Sequence, residues 1–133
     1  MIEKPAIEPS RNKEADFSII TLVFKIATAA QWQEATQRGA FMGSLDDIRD
    51  GFIHLSAGHQ VRETLTKHFH GQRDLVLIAL PVVSLAPDLK WEVSRGGDKF
   101  PHLYVPLETR HALWMKPLTL NSEGIPLPPE DLA

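Results

Sequence analysis

An apolar run over residues 75–83 constrains the fold of this chain more than any other feature. Residues 75–80 are apolar at every position rather than at alternate ones, which is typical of a strand that is buried on both faces. The run is too short to cross a bilayer, and Pro81 interrupts it. It therefore predicts the central strand of a sheet that other elements cover on both sides.

A strand followed by a helix is predicted upstream of this run. Apolar side chains alternate over residues 22–27, which is typical of a strand. Thr28 and Gln31 have the spacing of a helix capping box, and Gly39 is a typical helix end. The first helix is therefore predicted to begin after Thr28 and to stop at Gly39.

A second strand and helix follow. Residues 52–56 are predicted to form a short strand that runs directly into a helix capped by Ser56. Apolar residues recur along this helix at every fourth position, at Val61, Leu65 and Phe69. Gly71 is expected to close it.

The remaining segments complete the predicted fold. Further strands are expected near residues 89–93, 100–105 and 112–120. Two main helices early in the chain and strands mostly late in it favour a compact α+β domain with a mixed sheet. The predicted organisation is a flexible N-terminal tail over residues 1–16, one α+β domain over residues 17–120 and a proline-rich C-terminal tail over residues 121–133.

Composition excludes several classes of function. The chain has no cysteine, so a thiol nucleophile and a thiolate metal site are both excluded. Its formal net charge is −3, which argues against broad binding to nucleic acid backbones. The acidic N-terminus lacks the apolar segment of a secretory signal. We expect a cytoplasmic protein without a membrane partner, whose ligand is a small molecule or a nucleotide.

Alternation along each predicted strand separates apolar side chains from ionisable ones. The ionisable side chains opposite the apolar faces are Lys25, His54, Glu92, His102 and Tyr104. If these faces meet, they line one cleft. The predicted catalytic residues are His54, Glu92, His102 and Tyr104. For either histidine alone, a hydrogen-bonded or solvent-facing structural residue is the commoner outcome.

Residues beside these strands predict contacts to a ligand. A helix that begins at Ser56 would point free N–H groups towards a phosphate. Arg95 would offer a bidentate contact to a phosphate or carboxylate, and the Gly96 and Gly97 pair beside it would allow close approach, although an ordinary turn explains these glycines equally well. Phe52 offers a ring for stacking. The predicted ligand-binding residues are Lys25, Phe52, Ser56 and Arg95.

No metal site is predicted. The histidines of the second helix region, His59, His68 and His70, suit a solvated helix face. His54, His102 and Glu92 contain the two imidazoles and the carboxylate that some metal sites need, but nothing in their spacing demands a metal.

Several blocks of the chain together resemble the domain-of-unknown-function 952 family of bacterial proteins, from about residue 21 to residue 120. The specific pair is Gly-Phe-Ile-His-Leu-Ser at residues 51–56 and Phe-Pro-His-Leu-Tyr at residues 100–104. The supporting blocks are Phe-Lys-Ile at residues 24–26, Trp32 followed by Gly39, the helix that begins near Gln60, and Leu-Lys-Trp-Glu at residues 89–92.

This resemblance implies a split, mixed sheet like that of the ADP-ribosyltransferase superfamily, whose members bind NAD in a cleft. It implies that Lys25, His54 and either Glu92 or His102 occupy the positions of the superfamily's functional residues. The chain departs from the family where many relatives have histidine at position 25 and glycine at position 105. Lysine donates hydrogen bonds but accepts none, so it cannot make every hydrogen bond to a ribose or a nicotinamide amide that an imidazole makes.

Three functions remain open. The first is an ADP-ribosyltransferase-like or glycohydrolase-like enzyme that uses NAD as substrate or ligand. The second is a two-histidine phosphoesterase, because His54 and His102 sit in blocks that loosely resemble the paired His-x-Ser/Thr motifs of that group, although Tyr104 replaces the second hydroxyl residue. The third is a non-catalytic ligand-binding or interaction domain.

Overall fold

The structure is a computed structural model, and it describes residues 21–129 and Leu132. The predicted N-terminal tail over residues 1–16 and part of the predicted C-terminal tail lie outside the described residues. Within the described chain, no helix is both long and apolar enough to span a membrane.

The architecture is α+β, as predicted. In the described chain the helices are α1 (Ala29–Arg38), α2 (Leu45–Asp50), α3 (Gly58–His68) and α4 (Val82–Leu85), with 3-10 turns at Arg95–Gly97 and Thr109–His111. The strands are β1 (Leu22–Thr28), β2 (Ala40–Phe41), β3 (Ile53–His54), β4 (Ser56–Ala57), β5 (Leu75–Pro81), β6 (Leu89–Val93), β7 (Lys99–Leu103), β8 (Leu107–Glu108), β9 (Trp114–Pro117), β10 (Thr119–Leu120) and β11 (Pro126–Leu127).

The central sheet has four strands in the order β9-β5-β1-β4, and β5 is an inner strand whose residues 75–80 are all buried. This confirms the prediction made from the apolar run. A second sheet has the order β3-β7-β6, and two short ladders join β2 to β8 and β10 to β11.

The predicted mixed sheet is wrong for the described residues, because every strand pairing among them is antiparallel. Helix α3 does connect two strands of the same direction, β4 and β5, as a crossover helix does. However, β1 lies between β4 and β5 and runs antiparallel to both. The two parallel strands are therefore never neighbours.

Two apolar clusters cover the two faces of the central sheet. One contains Phe24 and Leu77 packed against α3, and the other contains Val23 and Ile78 packed against α1 and the three-stranded sheet. Lys25 lies between Val23 and Ala27, which are buried, so it projects into a covered face. Lys25 lies on the face of β1 opposite Phe24, as expected, but that face is not open, because both faces of β1 are packed.

The start of the second helix also differs from prediction. Thr28 and Gln31 form the predicted capping box of α1, and Gly39 ends that helix. Ser56 does not cap α3, however, because Ser56 pairs with Phe24 in the central sheet and the N-cap is one residue later, at Ala57. The side chain of Gln60 accepts the backbone N–H of Ala57 at 2.9 Å, in place of a serine cap.

Helix α2 was not predicted, although its signals are present in the sequence. Ser44 and Asp47 form a reciprocal capping box, and Gly51 ends the helix at φ 85°, where glycine is favoured. The helix has six residues, too few for a visible apolar period.

Candidate functional site

The second sheet brings the predicted polar residues together. In its register His54 pairs with His102, and Glu92 pairs with Phe100, the residue two positions before His102. Cross-strand partners point to the same side of a sheet, so His54, Glu92 and His102 share one face. The opposite face carries Ile53 and other apolar residues of the core.

The first histidine is held by the unpredicted helix. Asp47 Oδ1 accepts the backbone N–H of His54 at 3.0 Å and lies 2.7 Å from Nδ1 of its ring. The other carboxylate oxygen of Asp47 accepts from Lys25 Nζ at 2.9 Å and from the backbone N–H of Ser44 at 2.8 Å. Lys25 Nζ also donates to the backbone carbonyl of His54 at 3.1 Å. Asp47 therefore joins α2, β1 and β3 at a single carboxylate.

Burial sets the electrostatics of this group. The side chains of Lys25 and Asp47 are only 6% and 2% exposed. Burial lowers the pKa of Lys25, and the Asp47 carboxylate opposes that shift. Burial alone would raise the pKa of Asp47, but hydrogen bonds from His54 and the charge of Lys25 hold it well below its usual range. The carboxylate is thus stabilised as an anion inside the core.

The second ring nitrogen of His54 also has a carboxylate partner. Nε2 of His54 lies 2.9 Å from Oδ2 of Asp50, the last residue of α2. The guanidinium of Arg49 donates to the same carboxylate at 2.9 and 3.2 Å, and its hydrogen bonds hold the pKa of Asp50 below the usual value. Two carboxylate acceptors on one ring are satisfied together only when both nitrogens carry hydrogen.

The second histidine belongs to a different network. Nδ1 of His102 lies 2.8 Å from Oε1 of Glu92, and the hydroxyl of Tyr104 donates to the same oxygen at 2.7 Å. Hydrogen bonds from Tyr104 and His102 lower the pKa of Glu92, and the Glu92 carboxylate raises the pKa of Tyr104. Since an ionised carboxylate only accepts, Nδ1 of His102 is the donor, which leaves Nε2 as an acceptor in the neutral ring.

Nε2 of His102 is unusual because no described residue provides a hydrogen-bond partner for it. His102 is only 4% exposed, and a buried polar atom without a partner calls for an explanation. The ring of Phe52 stacks on His102 with centroids 4.0 Å apart, and the ring of His54 lies 5.7 Å away. These contacts fix the ring plane of His102.

A cleft of about 430 Å³ lies beside these residues. Four of the predicted residues line it, namely Lys25, His54, Ser56 and His102. Three others are not among the lining residues: Phe52 and Glu92, which contact His102, and Tyr104, which bonds to Glu92. The side chain of Arg95 lies outside the described part of the structure. The catalytic and binding roles predicted for all eight residues stay predictions.

Sequence reasoning missed the short acidic helix α2, whose residues also line the cleft. Asp47 and Asp50 both line the cleft and both contact His54. The capping-box spacing of Ser44 and Asp47 would have revealed the helix. It would not have revealed that a capping carboxylate also holds Lys25, since residues 25 and 47 meet only in the tertiary structure. No group of three or more metal-ligating side chains suits an ion within the described residues.

The fold and the site define a small α+β protein with a polar cleft. Residues of its two larger sheets and of the short acidic helix α2 line this cleft. The chain belongs to the family described as "Protein of unknown function (DUF952)", which matches residues 26–115. This confirms the resemblance to that family.

Solved structures of a bacterial protein are similar to this chain. The crystal structure of CC0527 from Caulobacter crescentus has 50% sequence identity and a TM-score of 0.78, over 80% of this chain and 94% of that one. The solution NMR structure of CC0527 has 50% identity and a TM-score of 0.73, over 80% of this chain and 92% of that one. No curated protein matches the chain.

Proposed function

We propose that the cleft binds a nucleotide of the NAD or ADP-ribose type. The observation that carries this proposal is Nε2 of the buried His102, which can accept a hydrogen bond in the neutral ring and has no hydrogen-bond partner among the described residues. A ligand hydroxyl would satisfy it, and ribose offers such hydroxyls. The resemblance to the ADP-ribosyltransferase superfamily supports the same class of ligand.

The arrangement of the cleft suits part of such a ligand. Its volume of about 430 Å³ falls in the range of small-molecule sites, roughly 300–1,000 Å³. Lys25, Arg49 and His54 line the cleft together with His102. The lining therefore contains both kinds of polar group, donors and an acceptor, that a ribose phosphate needs.

The chemistry proposed here is ADP-ribosyltransferase-like, with Glu92 acting through His102. Departure of nicotinamide breaks its bond to the ribose carbon and leaves positive charge there, which a nearby carboxylate stabilises until water or an acceptor nucleophile forms the new bond to the same carbon and loses its proton. Glu92 does not line the cleft itself but bonds to Nδ1 of His102, which does. It would fix the orientation of the ring and make Nε2 a stronger acceptor, as a carboxylate does in a catalytic triad. His102 rather than Glu92 then contacts the ligand.

A two-histidine phosphoesterase is the second candidate, and the register of the second sheet favours it. His54 and His102 are direct cross-strand partners, both line the cleft, and each has a carboxylate on Nδ1. One ring with an accepting nitrogen and one that donates are the pair that acid and base catalysis at a phosphodiester requires. Hydrolysis of a 2′,3′-cyclic nucleotide with a two-sided pH profile would select this function.

Calorimetric titration with NAD and ADP-ribose tests the proposal, with nicotinamide release followed by mass spectrometry. We expect binding that His102→Ala weakens by about tenfold or more, since a hydrogen bond of about 1.4 kcal/mol is lost. His59→Ala is the matched control, because His59 is exposed on α3 and does not line the cleft. Glu92→Ala should weaken binding and Glu92→Gln should restore part of it, because glutamine still accepts from Nδ1.

Each result has a clear reading. Binding without nicotinamide release would select the non-catalytic ligand-binding domain. Absence of binding by the wild-type protein, or equal binding by the His102→Ala and wild-type proteins, would contradict the proposal.

A further inference from the structure

The carboxylate of Asp50 lies between the imidazole of His54 and the guanidinium of Arg49 at the edge of the cleft. Its Oδ2 is 2.9 Å from Nε2 of His54, and the guanidinium of Arg49 donates to both of its oxygens. We propose that Asp50 occupies an anion-binding subsite formed by His54 and Arg49, and that a phosphate group of the ligand displaces it. The inference rests on the proposed function, since it places the phosphate of the nucleotide.

Imidazole and guanidinium groups are of the kind that bind phosphate in other proteins. A planar guanidinium and an imidazolium each form short, charge-assisted hydrogen bonds to phosphate oxygens, as they do to a carboxylate. Arg49 and His54 both line the cleft. An internal carboxylate on these donors therefore occupies the geometry that a ligand anion would use.

A ligand can displace Asp50 because its ion pair with Arg49 is exposed and weak. Its side chain is 32% exposed, and the side chain of Arg49 is 66% exposed. Ion pairs of this kind contribute little to stability, because water screens them and two side chains must be ordered. Asp50 is the last residue of α2, and its side chain has solvent beside it into which it can rotate.

His54 would keep its place when Asp50 leaves. Its backbone N–H and Nδ1 both bond to Asp47, and its backbone carbonyl accepts from Lys25. Both partners are buried in the core. The donor at Nε2 is thus oriented before a ligand arrives, which reduces the ordering that binding requires.

The local charge explains why Asp50 matters for affinity. Three carboxylates of α2 line the cleft, those of Asp46, Asp47 and Asp50, and the lysine and arginine that line it are Lys25 and Arg49. Asp47 is already neutralised by Lys25 in the core. An incoming phosphate would meet the negative charge of Asp50 at the donors of His54 and Arg49, so Asp50 lowers the affinity of the cleft for anions.

Inorganic phosphate is the probe for this subsite, used with the full chain. We expect Asp50→Asn to bind phosphate about tenfold more tightly than the wild-type protein, because a like charge in contact with the anion is removed. Calorimetry measures the affinity, and the NMR shifts of the His54 ring report the place of binding. Asp46→Asn is the matched control, since Asp46 also pairs with Arg49 and lines the cleft but has no bond to His54.

Adding Arg49→Gln to the Asp50→Asn protein should remove most of the gain. Equal gains in Asp46→Asn and Asp50→Asn would overturn the inference, because a general change of charge would then explain both. An unchanged phosphate affinity in Asp50→Asn, or a gain that leaves the His54 ring unperturbed, would also overturn it.

A gain for phosphate without binding of NAD, ADP-ribose or AMP would support the subsite and contradict the proposed nucleotide function. Equal nucleotide binding by the Asp50→Asn and wild-type proteins would support the proposed nucleotide function and contradict the phosphate subsite.

Discussion

The two histidines of the cleft are both paired with a carboxylate, but the burial of the two pairs is inverted. In the His54 pair the carboxylate of Asp47 is 2% exposed and the imidazole is 36% exposed. In the His102 pair the imidazole is 5% exposed and the carboxylate of Glu92 is 39% exposed. The two imidazoles lie on neighbouring strands, but one is exposed beside a buried carboxylate and the other is buried beside an exposed carboxylate.

This difference in burial predicts that Asp47 stabilises the fold and that Glu92 orients the ring that faces the ligand. Asp47 is a buried charge that joins three elements, so its loss would leave Lys25 buried and uncompensated. Glu92 is half exposed, and among the described residues it bonds to the side chains of His102 and Tyr104. A change at Asp47 should mainly destabilise the fold, whereas a change at Glu92 should mainly alter the ring that faces the ligand.

The largest expected effect is at the buried carboxylate. Asp47→Ala should lower the free energy of unfolding by about 3–5 kcal/mol, because it leaves a buried ammonium without its partner. Denaturant unfolding followed by circular dichroism measures this. The double variant Lys25→Met, Asp47→Leu should recover much of the loss, because it removes both charges. If Asp47→Ala costs no more than the exposed Asp46→Asn change, about 0.5 kcal/mol or less, the contrast between the two pairs fails.

A smaller effect is expected from acid. The folded pKa of Asp47 lies well below its unfolded value, so the unfolded chain binds more protons between these two values. The stability from Asp47 is therefore complete above about pH 5 and falls as the pH drops below about 4. Urea unfolding between pH 7 and pH 3 measures this loss.

The double variant serves as the reference for the acid experiment, because it lacks both members of the buried pair. It should lose less stability than the wild-type protein over the same pH range. Glu92→Gln should remove less of the acid sensitivity than the double variant does, since Glu92 is exposed to solvent. An equal or greater change in Glu92→Gln would mean that the two carboxylates are not different in the way that their burial indicates.

The smallest effect concerns the phenol of Tyr104, which can be observed directly because the chain has a single tyrosine. Its hydrogen bond to Glu92 raises the pKa of Tyr104 above the ordinary value of about 10. Titration of tyrosinate absorbance with alkali should therefore show a raised midpoint, which Glu92→Leu returns towards 10. A midpoint that Glu92→Leu leaves unchanged would show that the Tyr104–Glu92 contact is absent in solution.

The strands of the second sheet show how far sequence patterns reach. Alternation along each strand predicts that His54, Glu92 and His102 lie opposite Ile53, Leu89 and Leu103, and the structure has this arrangement. The same reasoning groups Trp91 and Val93 with the core, but both are exposed, because β6 is an edge strand whose far end extends beyond the core. Parity within one strand is a local property, whereas coverage of a face depends on what packs there.

The sequence by itself determined the central strand β5, the capping of α1, the family and the polar set on the second sheet. These follow from local rules, since side-chain alternation, helix capping and apolar runs depend on residues that are close along the chain. Only the tertiary structure decided that β1 separates β4 from β5, that Lys25 is buried, and that Asp47 and Asp50 enclose His54. Such contacts join distant segments, and their energies depend on burial and on charge partners that no local pattern encodes.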